Sequence, residues 1–429
     1  MPASAPLPRF PTQLDSPLRH RPMKIQTCLP QISFDIPREP HWASTTLNFS
    51  KPRRIMDKMK SRAVDIHSHM YPPAYIDLLS TRSSIPMVRS FPKGPDPRLI
   101  LLSAEEKSLA AHLADPDAQP LPGRPLTSDY TSVERKMAFM DTHGIDISVI
   151  SLANPWLDFL DGELSPDVAR AVNDDFSRMC RLHPGRLFFF AVLPLTAPLD
   201  AIRASIAHIA GLDTCRGVIL GTSGLGRGLD DPDMLPVFKW LADARLTLFL
   251  HPHSGLPNQV WGPRAAEYGH VLPLALGFPM ETTIAVTRMY LARVFDHVRD
   301  LRIILAHSGG TLPFLAGRIE SCILHDGAID TADDRRSIWD VLKEQVYLDA
   351  VIYSDVGLTA AISATGSDRL LFGTDHPFFP PLKTSKEGEW ESVSLNVDAV
   401  ARAVGEGTVE AKAIMGENAI RILRLNETA

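Results

Sequence analysis

The chain has only four cysteines among its 429 residues, and they are scattered as Cys28, Cys180, Cys215 and Cys322. No two of them form a CxxC pair or any other tight spacing. In a chain of this length, that spacing argues against a disulfide framework and predicts reduced, mostly buried small side chains. A cytosolic, and thus cytoplasmic, setting is therefore expected.

Long apolar runs and an excess of positive charge are also absent. No apolar stretch approaches the roughly 18 residues that a membrane helix needs. The formal net charge is −6 and the sequence pI is near 6.2, so electrostatics gives no case for nucleic acid or an anionic membrane as partner. With 45% hydrophobic and 22% charged residues, the composition is that of a soluble globular protein with a substantial core.

Residues 1–60 lack the regular pattern of the rest of the chain. The segment is rich in proline, shows no helical or strand period, and has no apolar stretch typical of a secretory signal. Asp15, Asp35 and Glu39, together with the prolines, argue against the basic amphipathic helix of a mitochondrial presequence. We expect a disordered extension over residues 1–60 and one barrel domain over residues 62–429.

From residue 62 onward, short β-rich apolar runs alternate with longer segments of helical period. This alternation is typical of βα units and a parallel sheet. Eight such runs predict an α/β fold, namely a (βα)8 TIM barrel. Two of the segments between the runs, 132–144 and 197–211, are predicted to be helices that end at glycine. The runs span residues 63–69, 146–154, 186–195, 215–222, 246–253, 302–310, 346–352 and 369–377.

Two insertions interrupt the alternation, at about 71–130 after the first run and 253–281 after the fifth. Both follow the C-terminal end of a strand, which is the face on which a barrel builds its active site. Long loops there usually act as lids or substrate walls, and a decorative surface insertion is the alternative. We expect both insertions to border a binding site.

The stretch VDIHSHM places two histidines two positions apart in a predicted strand. Residues i and i+2 of a strand point to the same face, so His67 and His69 project side by side. Such a pair can supply two ligands to one metal ion. It can also be no more than two polar residues at the end of an edge strand, and so short a pattern taken alone slightly favours that alternative.

Polar side chains recur at the ends of the other predicted strands. In a (βα)8 barrel these ends converge on one mouth. A chance placement is plausible for one or two positions but improbable for the whole set, so the complete pattern favours a metal or proton-transfer site. The further residues are Asn154 in the second run, His251 in the fifth, His307 in the sixth and Asp375 in the eighth.

These motifs resemble, in order, those of the amidohydrolase superfamily, in the decarboxylase branch related to aminocarboxymuconate-semialdehyde decarboxylase. The resemblance is carried by the HxH pair, the strand-5 histidine, AHSGG at 306–310 and FGTDHPFF at 372–379. Within the branch, DIHSHMYPPAYI, SLANPWLDF and HVLPLALGFPMETTIAV are most similar to the fungal uracil-5-carboxylate (isoorotate) decarboxylases. The resemblance extends from about residue 62 to the end and implies an amidohydrolase-type barrel.

The resemblance also implies a mononuclear metal centre. Binuclear amidohydrolases carry a carbamylated lysine at the end of strand 4, whereas that strand here, CRGVILGTSG, contains no lysine. The implied ligands are His67, His69, His251 and Asp375, with Zn²⁺ as the expected ion, Mn²⁺ as an alternative and water in an open position. The implied partner is a small-molecule carboxylate, and the implied assembly is a homodimer.

The implied activity is metal-dependent, non-oxidative decarboxylation of uracil-5-carboxylate to uracil and CO₂. Direct loss of CO₂ leaves a poorly delocalised carbanion at C5, whereas protonation of C5 first lets the C–C electrons return to the ring. By resemblance Asp375 delivers this proton, a role open to a buried carboxylate beside a metal. His307 assists by a hydrogen bond to the substrate carboxylate or to water, and its alternative role is to cap the strand-6 turn.

Three more residues are candidate substrate contacts, and each has a structural alternative. Arg124, in the first insertion, suits bidentate binding of the ring or carboxylate, or is a solvated loop arginine. Asn154 offers a donor and an acceptor to an imide edge, or is a turn residue before Pro155. Phe378 stacks on the ring, or belongs to the core.

Rival functions stay open at this point. One is a related decarboxylase that acts on aminocarboxymuconate semialdehyde or a hydroxybenzoate. A second is a metal-dependent hydrolase of a lactone or cyclic amide, which a mononuclear centre could also support. A third is a non-catalytic barrel that serves as a binding scaffold. Release of CO₂ separates the first class from the second, and metal analysis separates both from the third.

Overall fold

The computed structural model describes residues 62–117, 120–253, 255–329, 334–382, 385 and 388–427. The predicted extension at residues 1–60 and Cys28 lie outside these described residues.

Eight parallel strands form one sheet in which each strand pairs with the next. We number them β1 to β8 in chain order. They span Val64–Met70, Ile147–Leu152, Leu187–Ala191, Cys215–Leu220, Thr247–Leu250, Ile303–Leu305, Val346–Asp349 and Leu370–Leu371. The eight predicted runs are confirmed in number and order. Most runs extend past the end of their strand, because the residues there leave the sheet to line the mouth of the barrel.

Backbone hydrogen bonds between β1 and the segment that follows β8 close the barrel. The N–H of Ile66 donates to the carbonyl of Phe372 at 3.0 Å, and the N–H of His69 donates to that of His376 at 2.7 Å. Between them, the N–H of Asp375 donates to the carbonyl of His67 at 2.8 Å. The predicted (βα)8 barrel is therefore confirmed, and the segment that carries Asp375 lies along β1.

Every residue of the eight strands is buried. A parallel strand of a barrel packs against the interior on one face and against helices on the other, so both faces are apolar. The aromatic rings of Phe189, Phe190 and Phe249 are among the largest fully buried side chains. Burial of such a side chain contributes about 1.5–3 kcal/mol to stability, and this packing fixes the strands that present the polar residues at the mouth.

Helices connect the strands and cover the outside of the barrel. The predicted helices are found as Val133–His143, which ends at a left-handed Gly144 with φ of 71°, and Leu199–Ala210. The other helices span Pro73–Thr81, Ser103–Ala114, Ser128–Thr131, Ser165–Arg181, Met234–Asp243, Phe278–Leu291, Val294–His297, Leu312–His325, Ile338–Glu344, Asp355–Thr365, Glu391–Val404, Val409–Lys412 and Asn418–Ile422. Among the described helices, none combines the length and apolarity needed to span a bilayer.

The two insertions fold as separate small elements. In the first, three short antiparallel strands, Met87–Arg89, Arg98–Ile100 and Arg124–Pro125, lie beside the helices of that segment. In the second, the 3₁₀ turns Asn258–Trp261 and Ala265–Tyr268 and the π-helical turn Pro273–Gly277 lead into Phe278–Leu291. Two further 3₁₀ turns, His307–Gly309 and Ser367–Arg369, and a second π-helical turn, Ala413–Glu417, complete the regular structure of the described residues.

Candidate metal centre and active site

Four buried side chains converge at the C-terminal mouth of the barrel. They are His67, His69, His251 and Asp375, and each offers one ligand atom within 4.8 Å of the others. The Nε2 atom of His67 lies 3.1 Å from Nε2 of His69 and 3.3 Å from Oδ1 of Asp375. The Nε2 atom of His69 lies 3.4 Å from the same oxygen. The structure thus brings together the four residues that the resemblance implies as ligands.

The spacing and chemistry of these donors fit one divalent ion. A tetrahedral ion with bonds of about 2.0–2.1 Å places its ligand atoms about 3.3 Å apart. The measured separations of 3.1, 3.3 and 3.4 Å match this value. Three imidazole nitrogens and one carboxylate oxygen form a donor set that suits zinc and other borderline divalent ions.

Asp349, the last residue of β7, orients one of these ligands and was not singled out from the sequence. Its Oδ2 accepts hydrogen bonds from Nδ1 of His67 at 2.6 Å and from the N–H of His307 at 3.0 Å. Its Oδ1 accepts from the N–H of Ser308 at 2.7 Å. A carboxylate in this position fixes the tautomer and orientation of a metal-binding histidine. The strand-end rule that identified the other site residues would also have identified Asp349.

The other two histidines are held in the same tautomer. Ser151 donates its hydroxyl to the carbonyl of Ser68 at 3.2 Å, so its oxygen accepts from Nδ1 of His69 at 3.0 Å. Nδ1 of His251 donates to the carbonyl of Pro252 at 2.8 Å. Because Nδ1 is the donor in each ring, the lone pairs of Nε2 face the common centre.

Without a bound ion, the pKa shifts of the four candidate ligands favour one protonated histidine, one ionised carboxylate and two neutral histidines. Burial lowers the pKa of His67, but the carboxylates of Asp375 and Asp349 overcome this effect and raise it to about 10. Burial lowers the pKa of His69 to about 4 and that of His251 well below its usual value. Burial would raise the pKa of Asp375, but the adjacent His67 holds it well below its usual range.

His307 lies beside this cluster rather than within it. Its Nε2 is 3.8 Å from Oδ2 of Asp375, and its ring centroid lies 5.2 Å from those of His67 and His251. Its Nδ1 is buried and has no hydrogen-bond partner among the described residues. The backbone of His307 and of Asp375 is left-handed, with φ of 54° and 59°, a conformation that non-glycine residues rarely adopt and that clusters at functional sites.

Arg124 reaches the mouth from the first insertion. Its Nη2 donates to Oη of Tyr71 at 2.5 Å, and its guanidinium lies 5.4 Å from the ring centre of Tyr130 and 5.2 Å from that of Phe378. Its Nε is buried and lacks a hydrogen-bond partner among the described residues. Arg124 is therefore a half-buried residue with side-chain contacts on three aromatic rings, and its role in substrate binding stays a prediction. Neither tyrosine was singled out from the sequence, because nothing in their spacing links them to Arg124.

Phe378 and Asn154 occupy the rim of the same mouth. The half-buried Phe378 ring meets that of His69 edge to face, with ring centroids 5.5 Å apart. The side-chain amide of Asn154 donates to the carbonyl of His253 at 3.1 Å, while its backbone carbonyl accepts from Oη of Tyr71 at 2.8 Å. Asn154 therefore joins the loops that follow β2 and β5, and a ligand would engage its carboxamide oxygen.

The second insertion also borders the site. The Phe278 ring lies 6.4 Å from that of His251. The carboxylate of Glu281 accepts from the N–H groups of His253, at 2.8 Å, and Gly255, and from the hydroxyl of Thr222. One buried side chain thus ties the start of this insertion to the loop after β4.

A family model described as amidohydrolase matches residues 64–425 of the chain. The chain belongs to the amidohydrolase family. The matched region of this amidohydrolase covers all eight barrel strands, and the family prediction from the HxH, strand-5, AHSGG and TDHP motifs is thereby confirmed.

Named relatives of this amidohydrolase include decarboxylases. It is 26% identical over 217 residues to the 2-amino-3-carboxymuconate-6-semialdehyde decarboxylase of Dictyostelium discoideum, a match that covers 49% of this chain and only 57% of that protein. Among solved structures, the apo form of IDCase from Metarhizium anisopliae is 68% identical, with a TM-score of 0.83, and the match covers 87% of this chain and 100% of that one.

A more distant solved structure shares the fold of this amidohydrolase. The dihydroxybenzoic acid decarboxylase of Polaromonas sp. JS666, solved with bound manganese and the inhibitor 2-nitroresorcinol, is 21% identical with a TM-score of 0.60. That match covers 86% of this chain and 98% of the other.

Proposed function

We propose that this protein is a metal-dependent, non-oxidative decarboxylase that converts uracil-5-carboxylate into uracil and CO₂. The observation that carries the proposal is the 68% identity to Metarhizium IDCase, an isoorotate decarboxylase, over 87% of the chain. The site supports it independently, because a donor set for one divalent ion lies beside a half-buried arginine and a half-buried aromatic ring.

The residues around the centre can bind a planar, anionic ring. When bound, a divalent ion supplies a Lewis acid that neutralises the substrate carboxylate and fixes its position. The guanidinium of Arg124 offers a planar fork of donors to the carboxylate or a ring oxygen. The ring of Phe378 covers one face of the pyrimidine, and the carboxamide oxygen of Asn154 accepts from the imide edge.

Asp375 and His307 move the proton that the reaction consumes. Asp375 is ionised at neutral pH in the metal-free chain, so it must receive a proton before it can donate one. Nε2 of His307, 3.8 Å from Oδ2 of Asp375, is the proposed source. The proton passes from Oδ2 to C5 of the ring, C5 becomes tetrahedral, the C–C bond breaks, and its electrons return to the ring as CO₂ departs.

We propose Zn²⁺ as the resident ion, because three imidazole nitrogens and one carboxylate oxygen form a donor set that suits zinc. Mn²⁺, which the Polaromonas neighbour binds, is the alternative. Elemental analysis of the purified chain, followed by turnover of the metal-free chain after addition of each ion, distinguishes the two.

The test of the activity is turnover of uracil-5-carboxylate by the purified, metal-loaded chain. We expect uracil and CO₂ in equal amounts, detected by chromatography and a coupled CO₂ assay. Asp375→Asn should lower kcat by at least about 10²-fold, the usual contribution of a positioned proton donor. Asp200→Asn, an exposed carboxylate on the helix Leu199–Ala210, is the matched control and should leave kcat unchanged.

Two outcomes would contradict the proposal. Turnover of 2,6-dihydroxybenzoate or aminocarboxymuconate semialdehyde without turnover of uracil-5-carboxylate would show that the substrate is wrong. A ring-opened acid in place of CO₂ would show that the reaction class is wrong and that the protein is a hydrolase.

We also propose that two copies of the chain form a homodimer through exposed apolar side chains of the second insertion and of the helix Phe278–Leu291. These are the side chains of Val260, Val271, Leu274, Leu276, Met280 and Ile284. Several large apolar side chains exposed within one short stretch of chain are typical of an interaction site. The cytoplasmic location that the cysteine pattern suggests stays a prediction.

A further inference from the structure

A lysine is fully buried behind the metal centre, on the outer side of β1. Lys136 belongs to the helix Val133–His143, and its side chain has no solvent exposure. The buried residues of this helix are Lys136, Phe139, Met140 and His143. A buried ammonium group is costly unless it is hydrogen-bonded and compensated by charge, so its partners identify its role.

One partner of Lys136 lies between two metal-ligand candidates. Its Nζ donates to the hydroxyl of Ser68 at 2.6 Å. Ser68 separates His67 from His69 in β1, and the alternation of a strand turns its side chain to the helix layer while the two imidazoles face the interior. Lys136 is thus hydrogen-bonded to the middle residue of the HxH motif from the helix side of β1.

The other partner of Lys136 is next to the fourth candidate ligand. Its Nζ donates to Nδ1 of His376, at 2.5 Å, and His376 directly follows Asp375. The His376 ring stacks on Phe139, with ring centroids 3.8 Å apart, and also contacts Trp390, at 4.4 Å. An ammonium only donates, so Nδ1 of His376 must accept, and the ring cannot rotate away without losing both aromatic contacts.

A buried carboxylate lies near this charge and joins the same two segments. Burial lowers the pKa of Lys136, and the fully buried carboxylate of Asp65 opposes that shift. Asp65 accepts from the N–H and the hydroxyl of Thr374 at 3.0 and 2.8 Å, and from the N–H of His67 at 3.2 Å.

We propose that Lys136 is a positioning residue that fixes β1 against the segment after β8 and thereby holds His67, His69 and Asp375 around one metal ion. The inference rests on the proposed metal-dependent function and adds a residue that touches neither the ion nor the substrate. Because the backbone pairing of Ser68 with His376 closes the barrel at this point, a loss of the ammonium should displace ligands on both sides of the closure.

The test measures metal affinity rather than activity alone. Lys136→Met keeps the length of the side chain and removes its donors. We expect the dissociation constant for Zn²⁺, measured on the metal-free full chain by competition with a chromogenic chelator, to rise about 10- to 100-fold, as is usual when the groups that support metal ligands are lost. The visible absorption spectrum of the Co²⁺-loaded variant should also change, because the ligand geometry changes.

Met140→Ala is the matched control, since Met140 is fully buried in the same helix. It should lower Tm through a cavity but leave the Zn²⁺ dissociation constant and the Co²⁺ spectrum as in the wild type. If Lys136→Met also lowers Tm without a change in either metal readout, Lys136 is merely structural and the proposal is overturned.

A second variant covers the case in which Lys136→Met does not fold. Lys136→Gln keeps a donor group, the amide NH₂, without a buried charge and should give an intermediate rise in the dissociation constant. Unchanged affinity in folded Lys136→Gln overturns the proposal. If the wild-type chain binds Zn²⁺ but does not decarboxylate, the proposed function is contradicted, while the role of Lys136 can still be measured. If the wild-type chain binds no ion, both the proposed function and the role of Lys136 are overturned.

Discussion

At the scale of single residues, His67 connects the most groups in the site. Its Nδ1 is fixed by Asp349, and its Nε2 faces both His69 and Asp375. A ring held at one nitrogen by a buried carboxylate can present the other nitrogen in only one direction. The two histidines beside it are fixed by a hydroxyl and a carbonyl, so His67 is the ligand whose orientation depends on charge.

Replacement of Asp349 should therefore weaken metal binding. In Asp349→Asn the side chain keeps its shape but loses the negative charge that orients His67 and raises its basicity. We expect the Zn²⁺ dissociation constant to rise about 10- to 100-fold, as measured by chelator competition. Asp77→Asn, an exposed carboxylate, is the control. Equal affinities in Asp349→Asn and the wild type would show that Asp349 does not orient the ligand.

Metal uptake at neutral pH should release a proton. The pKa of His67 is raised to about 10 in the metal-free chain, so the ring is protonated at pH 7 and must lose that proton to bind an ion through Nε2. We expect about one proton per ion and a metal affinity that increases about tenfold per pH unit below the pKa of His67. Calorimetry in buffers of different ionisation enthalpy measures the release. A heat of binding that is independent of the buffer would contradict it.

At the scale of elements, the contact between β1 and the segment after β8 determines the geometry of the site. Three of the four candidate ligands lie on these two segments, which are more than 300 residues apart in the chain. The backbone N–H groups of Ile66, His69 and Asp375 donate the hydrogen bonds that join the two segments. The approach is close because the intervening residue at position 373 is glycine. A Cβ atom there would lie 2.7 Å from Cβ of His67 and 2.9 Å from Cγ2 of Val351.

A methyl group at this contact should damage both stability and the metal centre. We expect Gly373→Ala to lower the free energy of unfolding by about 1–3 kcal/mol, the usual effect of overpacking, and to reduce the metal content of the purified protein, because His67 must move. Urea denaturation and elemental analysis measure the two effects. Gly327→Ala, where an added Cβ meets no atom within 4 Å, is the matched control and should show neither effect.

At the scale of the whole molecule, the exposed apolar side chains of the second insertion and the following helix are left in contact with solvent in a single chain. A charge among these side chains should dissociate the proposed homodimer. We expect Ile284→Asp, on the helix Phe278–Leu291, to shift the molar mass measured by light scattering from that of two chains to that of one. Val409→Asp, at another exposed apolar position, should remain dimeric. A wild-type chain with the mass of a monomer would refute the dimer itself.

The sequence by itself determined the repeated βα pattern, the place of the insertions and the polar residues at the strand ends. These features are encoded locally, because apolar runs, glycine stops and the alternation of a strand depend on neighbouring residues. Six strand-end candidates, His67, His69, Asn154, His251, His307 and Asp375, could therefore be nominated one strand at a time, and the family resemblance implied which four are metal ligands.

Only the tertiary structure decided which distant groups support that set. The supporting contacts depend on how the barrel closes and on how each helix is rotated against the sheet. They are the contacts of Asp349 with His67, of Lys136 with Ser68 in β1, and of Tyr71 with Arg124. Closure and rotation follow from the packing of the whole core, which is a sum over many residues far apart in the chain. A local pattern can nominate a strand-end residue such as Asp349, but it does not show which side chain that residue contacts, so these contacts appear only once the chain is folded.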